Sequence, residues 1–393
     1  MNKPFCGQPS TSIRHIIGNI PQGYSISHWF GAADIYRLHK ARIGIRHACD
    51  LLQLNKDDEI LAPAYHCGSE IDPLLKSGVK VILYDIDKNC KINITDITNR
   101  ITSKTKAIYV THYFGFPQDV ITVKKLCEQN KLYLIEDCAM ALFSCNGAEF
   151  IGRAGDIAVF SLTKTLPVPD GGLLVVNNDS LRKISIVFDQ PAFLNIIRRL
   201  MPFIKSNLLI FLSRDTILQP LYSIVFKGLN SHRMAKAKEE IRTGGECLMS
   251  GDLYYHQELS NIAMSGITNR MLKAFVPDEI KRIRRRNYCQ LADLLRGQDN
   301  LRILFPELSA SVCPLNFPII IENRDAVRLE LYKRGIDADA FGKCYHIDFP
   351  LHDFPDSRFL KSHLLSLPIH QNLDAKHIRY IADNLINILW GNN

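Results

Sequence analysis

Residues 131–177 read KLYLIEDCAMALFSCNGAEFIGRAGDIAVFSLTKTLPVPDGGLLVVN. Three β-rich runs stand in this stretch: Lys131–Asp137, Asp156–Leu162 and Gly172–Asn177. The first runs straight into two carboxylates, Glu136 and Asp137. The second passes through Ser161 to Lys164. An ammonium directly behind a buried-type strand is costly unless it is paired or used. The third follows a turn cluster, Pro167-Val168-Pro169-Asp170-Gly171-Gly172. Taken singly, Asp137 reads as a turn or N-cap aspartate and the proline-glycine cluster as a turn.

Working outward, further β-rich runs occur at Glu59–Pro63, Val79–Asp85 and Lys106–His112. Between them lie helical patterns. Residues 119–130 place Val120, Val123 and Leu126-Cys127 on one face, with Asp119 as a candidate N-cap. Such alternation predicts an α/β fold with a large, mostly parallel sheet covered by helices on both faces. Ligands in such sheets bind at the carboxyl ends of the strands. Beyond residue 250 the spacing predicts a strand at Asn316–Ile321, a helix at Arg324–Arg334 and a closing amphipathic helix near Ala375–Leu389. The expected organisation is an N-terminal arm over 1–30, a large domain over 31–250 and a smaller C-terminal α/β domain over 251–393.

The formal net charge of +8 does not read as a nucleic-acid surface. Residues 181–250 hold eleven Lys/Arg against five Asp/Glu, interleaved with Leu, Ile and Phe instead of forming a hydrophilic stripe. The 11 cysteines contain no C-x-x-C pair, so neither a disulfide framework nor a metal site is expected. That usage fits a reducing, cytoplasmic setting. The N-terminal MNKPFCGQPSTSIRHIIGNIPQGY lacks the apolar core of a secretory signal. No run of 18 apolar residues suggests a spanning helix.

Several stretches in order resemble the DegT/DnrJ/EryC1/StrS sugar aminotransferase family, pyridoxal-phosphate enzymes of transferase fold type I. EDCAM resembles its E-D-x-A-[QH] motif, and GRAGDIAVFSLTK, with six residues before Gly171-Gly172, resembles its serine-to-lysine segment. LNKDDEILAPAYHC, ITSKTKAIYVTHYFGFPQDV and HLLSLPIHQNLD resemble three further family segments. The resemblance implies that the cofactor is pyridoxal 5'-phosphate, carried covalently by Lys164, with Asp137 at its ring nitrogen. It also implies that Ser161 and the turn Ala41-Arg42-Ile43-Gly44, opening a helix to Leu54, hold the phosphate. Asn261, in Asn261-Ile262-Ala263-Met264, corresponds to an asparagine that reaches the partner subunit's site, which implies a homodimer. As a plain sequence feature it is equally a surface-loop asparagine. His112 is either a structural or a substrate histidine.

The chain departs from the family pattern at several of these positions. Arg42 stands where a threonine is usual, and Met140 where a glutamine or histidine is usual. Cys67 replaces the aromatic that stacks on the ring, leaving Tyr65 or His66 to cover it. The serine-to-lysine spacing is two residues shorter, and an apolar basic insertion occupies about 185–245. The expected activity is amino transfer, with glutamate as donor, to a nucleotide-linked keto-sugar in surface-polysaccharide or secondary-metabolite biosynthesis. A sugar dehydratase of the same fold has histidine in place of the lysine, so Lys164 speaks against it. A non-catalytic homologue is the alternative that Met140 and Cys67 favour. Residues 191–229, with five Lys/Arg and the single acid Asp215, are either an apolar hairpin packed on the body or a peripheral contact with the inner membrane face.

Overall fold

The computed structural model describes Cys6, Pro9, Phe30 and residues 33–182, 186–201, 203, 247–249, 256–341, 344–346 and 353–391. Most of the expected N-terminal arm, and most of the insertion from 204 onward, lie outside the described residues.

Seven strands form the large sheet. They are β1 (Asp34–Leu38), β2 (Glu59–Pro63), β3 (Lys80–Tyr84), β4 (Thr105–Thr111), β5 (Tyr133–Asp137), β8 (Ile157–Ser161) and β9 (Gly172–Val176), in the order β1-β9-β8-β5-β4-β2-β3. A short hairpin, β6 (Cys145–Asn146) and β7 (Glu149–Phe150), interrupts the chain before β8. Strands β3, β2, β4, β5 and β8 run parallel; β9 is antiparallel to β8, and the edge strand β1, antiparallel to β9, runs with the others. The mostly parallel α/β sheet expected from the sequence is therefore present.

Both faces of the sheet are covered. Ile157, Val159, Leu174 and Val176 join one hydrophobic cluster, while Ala158, Phe160, Leu173 and Val175 join a second. Alternate side chains of a strand point to opposite faces. Hence β8 and β9 read as continuous apolar runs instead of an alternation. The helix Ala41–Leu51 packs tightly: a Cβ on Gly44 would stand 3.2 Å from Leu38 and 3.3 Å from Val159. It ends three residues before the Leu54 expected, because Leu52 caps it and Gln53 turns the chain at φ 53°. The helix Val120–Asn130 starts where the sequence placed it, with the Asp119 carboxylate accepting the Thr122 N–H.

The later residues build a three-stranded antiparallel sheet from β11 (Leu301–Ile303), β12 (Asn316–Ile321) and β14 (Leu364–Pro368). A short parallel pair, β10 (Cys247–Met249) with β13 (Cys344–His346), lies apart from it. The helices Pro277–Leu295, Arg324–Lys333 and Ala375–Trp390 accompany the three-stranded sheet. Asp374 caps the last helix in a reciprocal box with His377. No helix among the described residues is long and apolar enough to cross a membrane.

Candidate active site

Strands β5 and β8 are neighbours and run parallel, so their carboxyl ends open at the same edge. A cavity of about 190 Å3 lies there, and Asp137, Ser161, Thr163 and Lys164 are in its wall. Asp137 is almost fully buried. Its Oδ2 accepts the Tyr109 hydroxyl at 2.8 Å and its Oδ1 accepts the Ala139 N–H at 2.8 Å. Burial pushes its carboxyl above the usual range, and Glu70 adds to this, while Lys164 and the two hydrogen bonds pull the other way. A carboxylate held in this way gains from any further cation placed against it.

The adjacent Glu136 points to the opposite face and is spent on structure. Its carboxylate accepts the N–H groups of Gly155 at 2.5 Å and Gly152 at 3.2 Å, and it meets His112 Nε2 at 3.0 Å. His112 Nδ1 accepts the Gln118 N–H. A ring nitrogen that accepts carries no proton, so Nε2 is the donor to Glu136 and the imidazole is neutral. Both nitrogens are thus engaged in a fully buried ring, and His112 is a structural histidine here.

Lys164 sits on the short helix Leu162–Thr165 directly after β8. Its side chain is exposed to the cavity, not buried against the strand end as its position suggested. The ring centroid of Phe341 is 5.9 Å from Nζ. Two glycines shape this loop for different reasons. Gly171 adopts φ +134°, which side chains rarely tolerate, with its N–H on the His39 carbonyl and its own carbonyl on the Leu162 N–H. At Gly172 a Cβ would stand 2.4 Å from the backbone of both Lys40 and Ala41. The glycine pair thus lets the start of the helix Ala41–Leu51 lie directly against β9, beside the lysine. Behind the lysine helix, the Thr165 carbonyl accepts from both the buried Arg284 and Gln371. Arg284 was not singled out in the sequence, because an arginine inside a charged helix looks solvated. Gln371 lay in plain view within HLLSLPIHQNLD.

The turn Ala41-Arg42-Ile43-Gly44 reaches the cavity only in part. Arg42 lines the cavity together with His39, Lys40 and Ala41 at the amino end of the helix. The Ile43 N–H, in contrast, is donated back to the Lys40 carbonyl at 3.2 Å, and Ile43 is buried away from the cavity. The generic set of unpaired first-turn amides is therefore reduced by one. Met140 does lie in the cavity wall. Cys67 does not: its thiol donates to Glu70 Oε2 at 2.9 Å and its N–H to Oε1 at 2.9 Å. Burial pushes that thiol strongly up, so it stays protonated and serves as a donor. Tyr65 and His66, the other candidates to cover a ring, are fully buried off the wall, and Phe341 is the aromatic that lines it. Glu70 was missed in the sequence. It is buried, yet its carboxyl lies below the usual range: burial raises it, and His66, Cys67 and Lys164 outweigh that.

Asn261 is exposed and stands outside its own chain's cavity wall. Its carbonyl accepts the Asp189 N–H, and the next residue's carbonyl accepts the His39 N–H, so the segment lies beside the cavity mouth. Asp170, also in the wall, is held below the usual range although burial raises it, because His39, Thr268 and Ser265 surround it.

Residues 41–202 match the DegT/DnrJ/EryC1/StrS aminotransferase family. The chain is 28% identical over 140 residues to the GDP-perosamine synthase of Vibrio cholerae, covering 35% of this chain and 38% of that protein. It is 32% identical over 133 residues to the Escherichia coli O157:H7 GDP-perosamine synthase, covering 33% and 36%. The chain thus spans less than two fifths of the length of these curated relatives. The putative sugar aminotransferase Spr1654 of Streptococcus pneumoniae, in its pyridoxal-phosphate form, shares the fold. It aligns with a TM-score of 0.70 at 15% identity over 99% of both chains.

Proposed function

We propose that this chain, whose residues 41–202 belong to the DegT/DnrJ/EryC1/StrS aminotransferase family, is a pyridoxal-phosphate-dependent aminotransferase acting on a nucleotide-linked keto-sugar, with glutamate as donor. The observation that carries the reading is the meeting of Asp137 and Lys164 in one cavity at the ends of adjacent parallel strands. The donor set fits the cofactor. Asp137 is a buried carboxylate that lacks a full counter-charge, Lys164 is an accessible amine, and Gly172 leaves room for a close backbone turn beside Ser161 and Arg42.

When bound, pyridoxal phosphate supplies an electron sink for a carbanion at the carbon that carries the nitrogen. Asp137 holds a proton at the ring nitrogen, and Tyr109 and Ala139 fix the carboxylate that does so. Lys164 Nζ is the amine that holds the cofactor and the base that moves a proton at the substrate carbon. Ser161, Arg42 and the helix amino end receive the phosphate. Asn261, exposed beside the mouth, is available to a partner subunit's site in a dimer.

The test is spectroscopic and chemical. The purified protein, reconstituted with pyridoxal phosphate, is expected to be yellow, and borohydride to fix the cofactor on Lys164. A label on another lysine, or no uptake of cofactor, overturns the reading.

A further inference from the structure

Lys164 stands on a single helical turn, Leu162–Thr165. One backbone bond closes it, from the Leu166 N–H to the Leu162 carbonyl at 2.8 Å. An isolated turn fixes several dihedrals for one hydrogen bond and does not hold itself. Its position is therefore set at its two ends. At the first, the Leu162 N–H donates to the Gly171 carbonyl, within the same loop. At the other, the Thr165 carbonyl accepts from Arg284 Nη2 and Gln371 Nε2, each at 3.1 Å. These donors stand 119 and 206 residues further along the chain.

The two donors are tied to each other. Arg284 Nε donates to Gln371 Oε1 at 2.9 Å, so each side chain fixes its neighbour on the same carbonyl. The rest of the guanidinium goes to the carbonyls of Leu315 at 2.7 Å and Pro314 at 3.4 Å. On the same face of the helix Pro277–Leu295, Asn287 donates to the carbonyls of Ile369, His370 and Leu373. That holds the loop from which Gln371 reaches. Arg284 is 1% exposed and, among the described residues, has only neutral acceptors. Burial lowers its guanidinium to about 10, which leaves it charged at neutral pH. A charge buried without a counter-charge is costly, and filling space does not require one. What the charge adds is stronger hydrogen bonds, roughly twice as strong as neutral ones.

We propose that Arg284 and Gln371 form a clamp that positions Lys164 through the Thr165 carbonyl. The placing of the reactive amine then depends on the C-terminal part of the chain. Both are positioning residues, since neither lines the cavity. The clamp rests on the reading above only for what Lys164 does once it is placed.

Replacing the buried Arg284 endangers the fold, so the test falls on Gln371, which is half-buried. In Gln371→Glu the carboxylate still accepts from Arg284 and gives the buried cation a counter-charge, which favours the fold. It has no N–H for Thr165 and sets a negative charge against that carbonyl. Arg296→Gln, at the exposed far end of the same helix, is the control. Amide hydrogen exchange at Leu166 is followed by mass spectrometry in the full chain before cofactor is added. Exchange is expected to be on the order of tenfold faster in Gln371→Glu than in wild type or Arg296→Gln. The helix Pro277–Leu295 should exchange as in wild type, and the melting temperature should not fall. After loading with pyridoxal phosphate, cofactor retention on dialysis should drop roughly tenfold in the same variant. Unchanged exchange at Leu166 overturns the clamp. Faster exchange throughout the chain, or a lower melting temperature, reduces the pair to general packing and overturns it too. Full cofactor retention despite a loosened turn does the same. A wild type that takes up no cofactor defeats the functional reading, and exchange at Leu166 still decides the clamp.

Discussion

Asp137→Asn separates the chemical role of this carboxylate from its structural one. The amide fits the same pocket. Its Oδ1 accepts the Ala139 N–H, and its Nδ2 donates to the Tyr109 oxygen once that hydroxyl hydrogen turns away. What disappears is the negative charge facing the cavity. A hydrogen bond to a charged group is worth about 1.5–3 kcal/mol, which at 1.36 kcal/mol per decade is roughly a 10- to 150-fold loss in rate. Single-turnover amino transfer from glutamate measures it. Stability should move the other way. The Asp137 carboxyl is raised above its ordinary value by burial. A raised carboxyl contributes stability below its ordinary value and loses it as pH rises through the folded value. At neutral pH the cofactor-free wild type therefore carries the cost of a buried charge, and Asn does not. Cofactor-free Asp137→Asn should melt at the same temperature or up to about 2 °C higher at pH 7, with no advantage near pH 3. A variant within threefold of wild type in turnover, a change of about 0.7 kcal/mol, refutes the assigned role. A clear drop in its cofactor-free melting temperature refutes the account of the buried charge.

Gly172→Ala places a methyl against the backbone of Lys40 and Ala41. It should cost about 1–3 kcal/mol in urea unfolding and loosen cofactor retention, and an unchanged midpoint counts against the close approach. Glu136→Gln turns an acceptor of two glycine N–H groups into a side chain with one acceptor and one donor end. Stability should fall by roughly 1–3 kcal/mol, while turnover per folded molecule stays within threefold. Residues 193–201 expose Phe193, Leu194, Ile197 and Met201. If that stretch meets an anionic bilayer, co-sedimentation with anionic liposomes should weaken with salt, each basic residue contributing on the order of 1 kcal/mol. A protein that stays in the supernatant with anionic and neutral lipid alike assigns these residues to packing.

The sheet was legible because its strands are buried on both sides. Runs such as YLIED, IAVFS and GLLVV carry the signal without needing neighbours. Strand β1, DIYRL, was not found: it is an edge strand, only half buried, and its Asp and Arg obscure the alternation. Asp137, Ser161 and Lys164 were legible because strand ends collect ligands in this architecture. The stacking candidates were less so. Cys67, Tyr65 and His66 follow β2, but the chain turns there so that Glu70 and Ser69 reach the cavity instead. Phe341 comes from 204 residues beyond Asp137 in sequence, and nothing local marks it. Arg199, which also lines the cavity, was visible only as part of a basic apolar stretch, with no periodicity to tie it to a strand end.

The cavity is electrically divided, and the division bears on how a cofactor lies in it. Asp137 responds to Lys164 and Glu70, whereas Lys40 responds to Arg199 and Arg42, so two of the acids and the reactive amine form one group, and the remaining cations, with Asp170 on His39, another. Pyridoxal phosphate is itself divided, with a basic ring nitrogen at one end and a dianion at the other. Bound in reverse, it would set the dianion against Asp137 and Glu70, and like charges brought together in this way cost several kcal/mol. Bound as proposed, each end would meet its opposite charge, and Lys164, in the same wall, would supply the amine that holds the cofactor. The departures from the family pattern fall on both sides: Arg42 and the insertion among the cations, Met140 and Cys67 near the acids. The acid side keeps its fixed carboxylate. Under the proposed function the ring chemistry would therefore rest on Asp137 and Lys164.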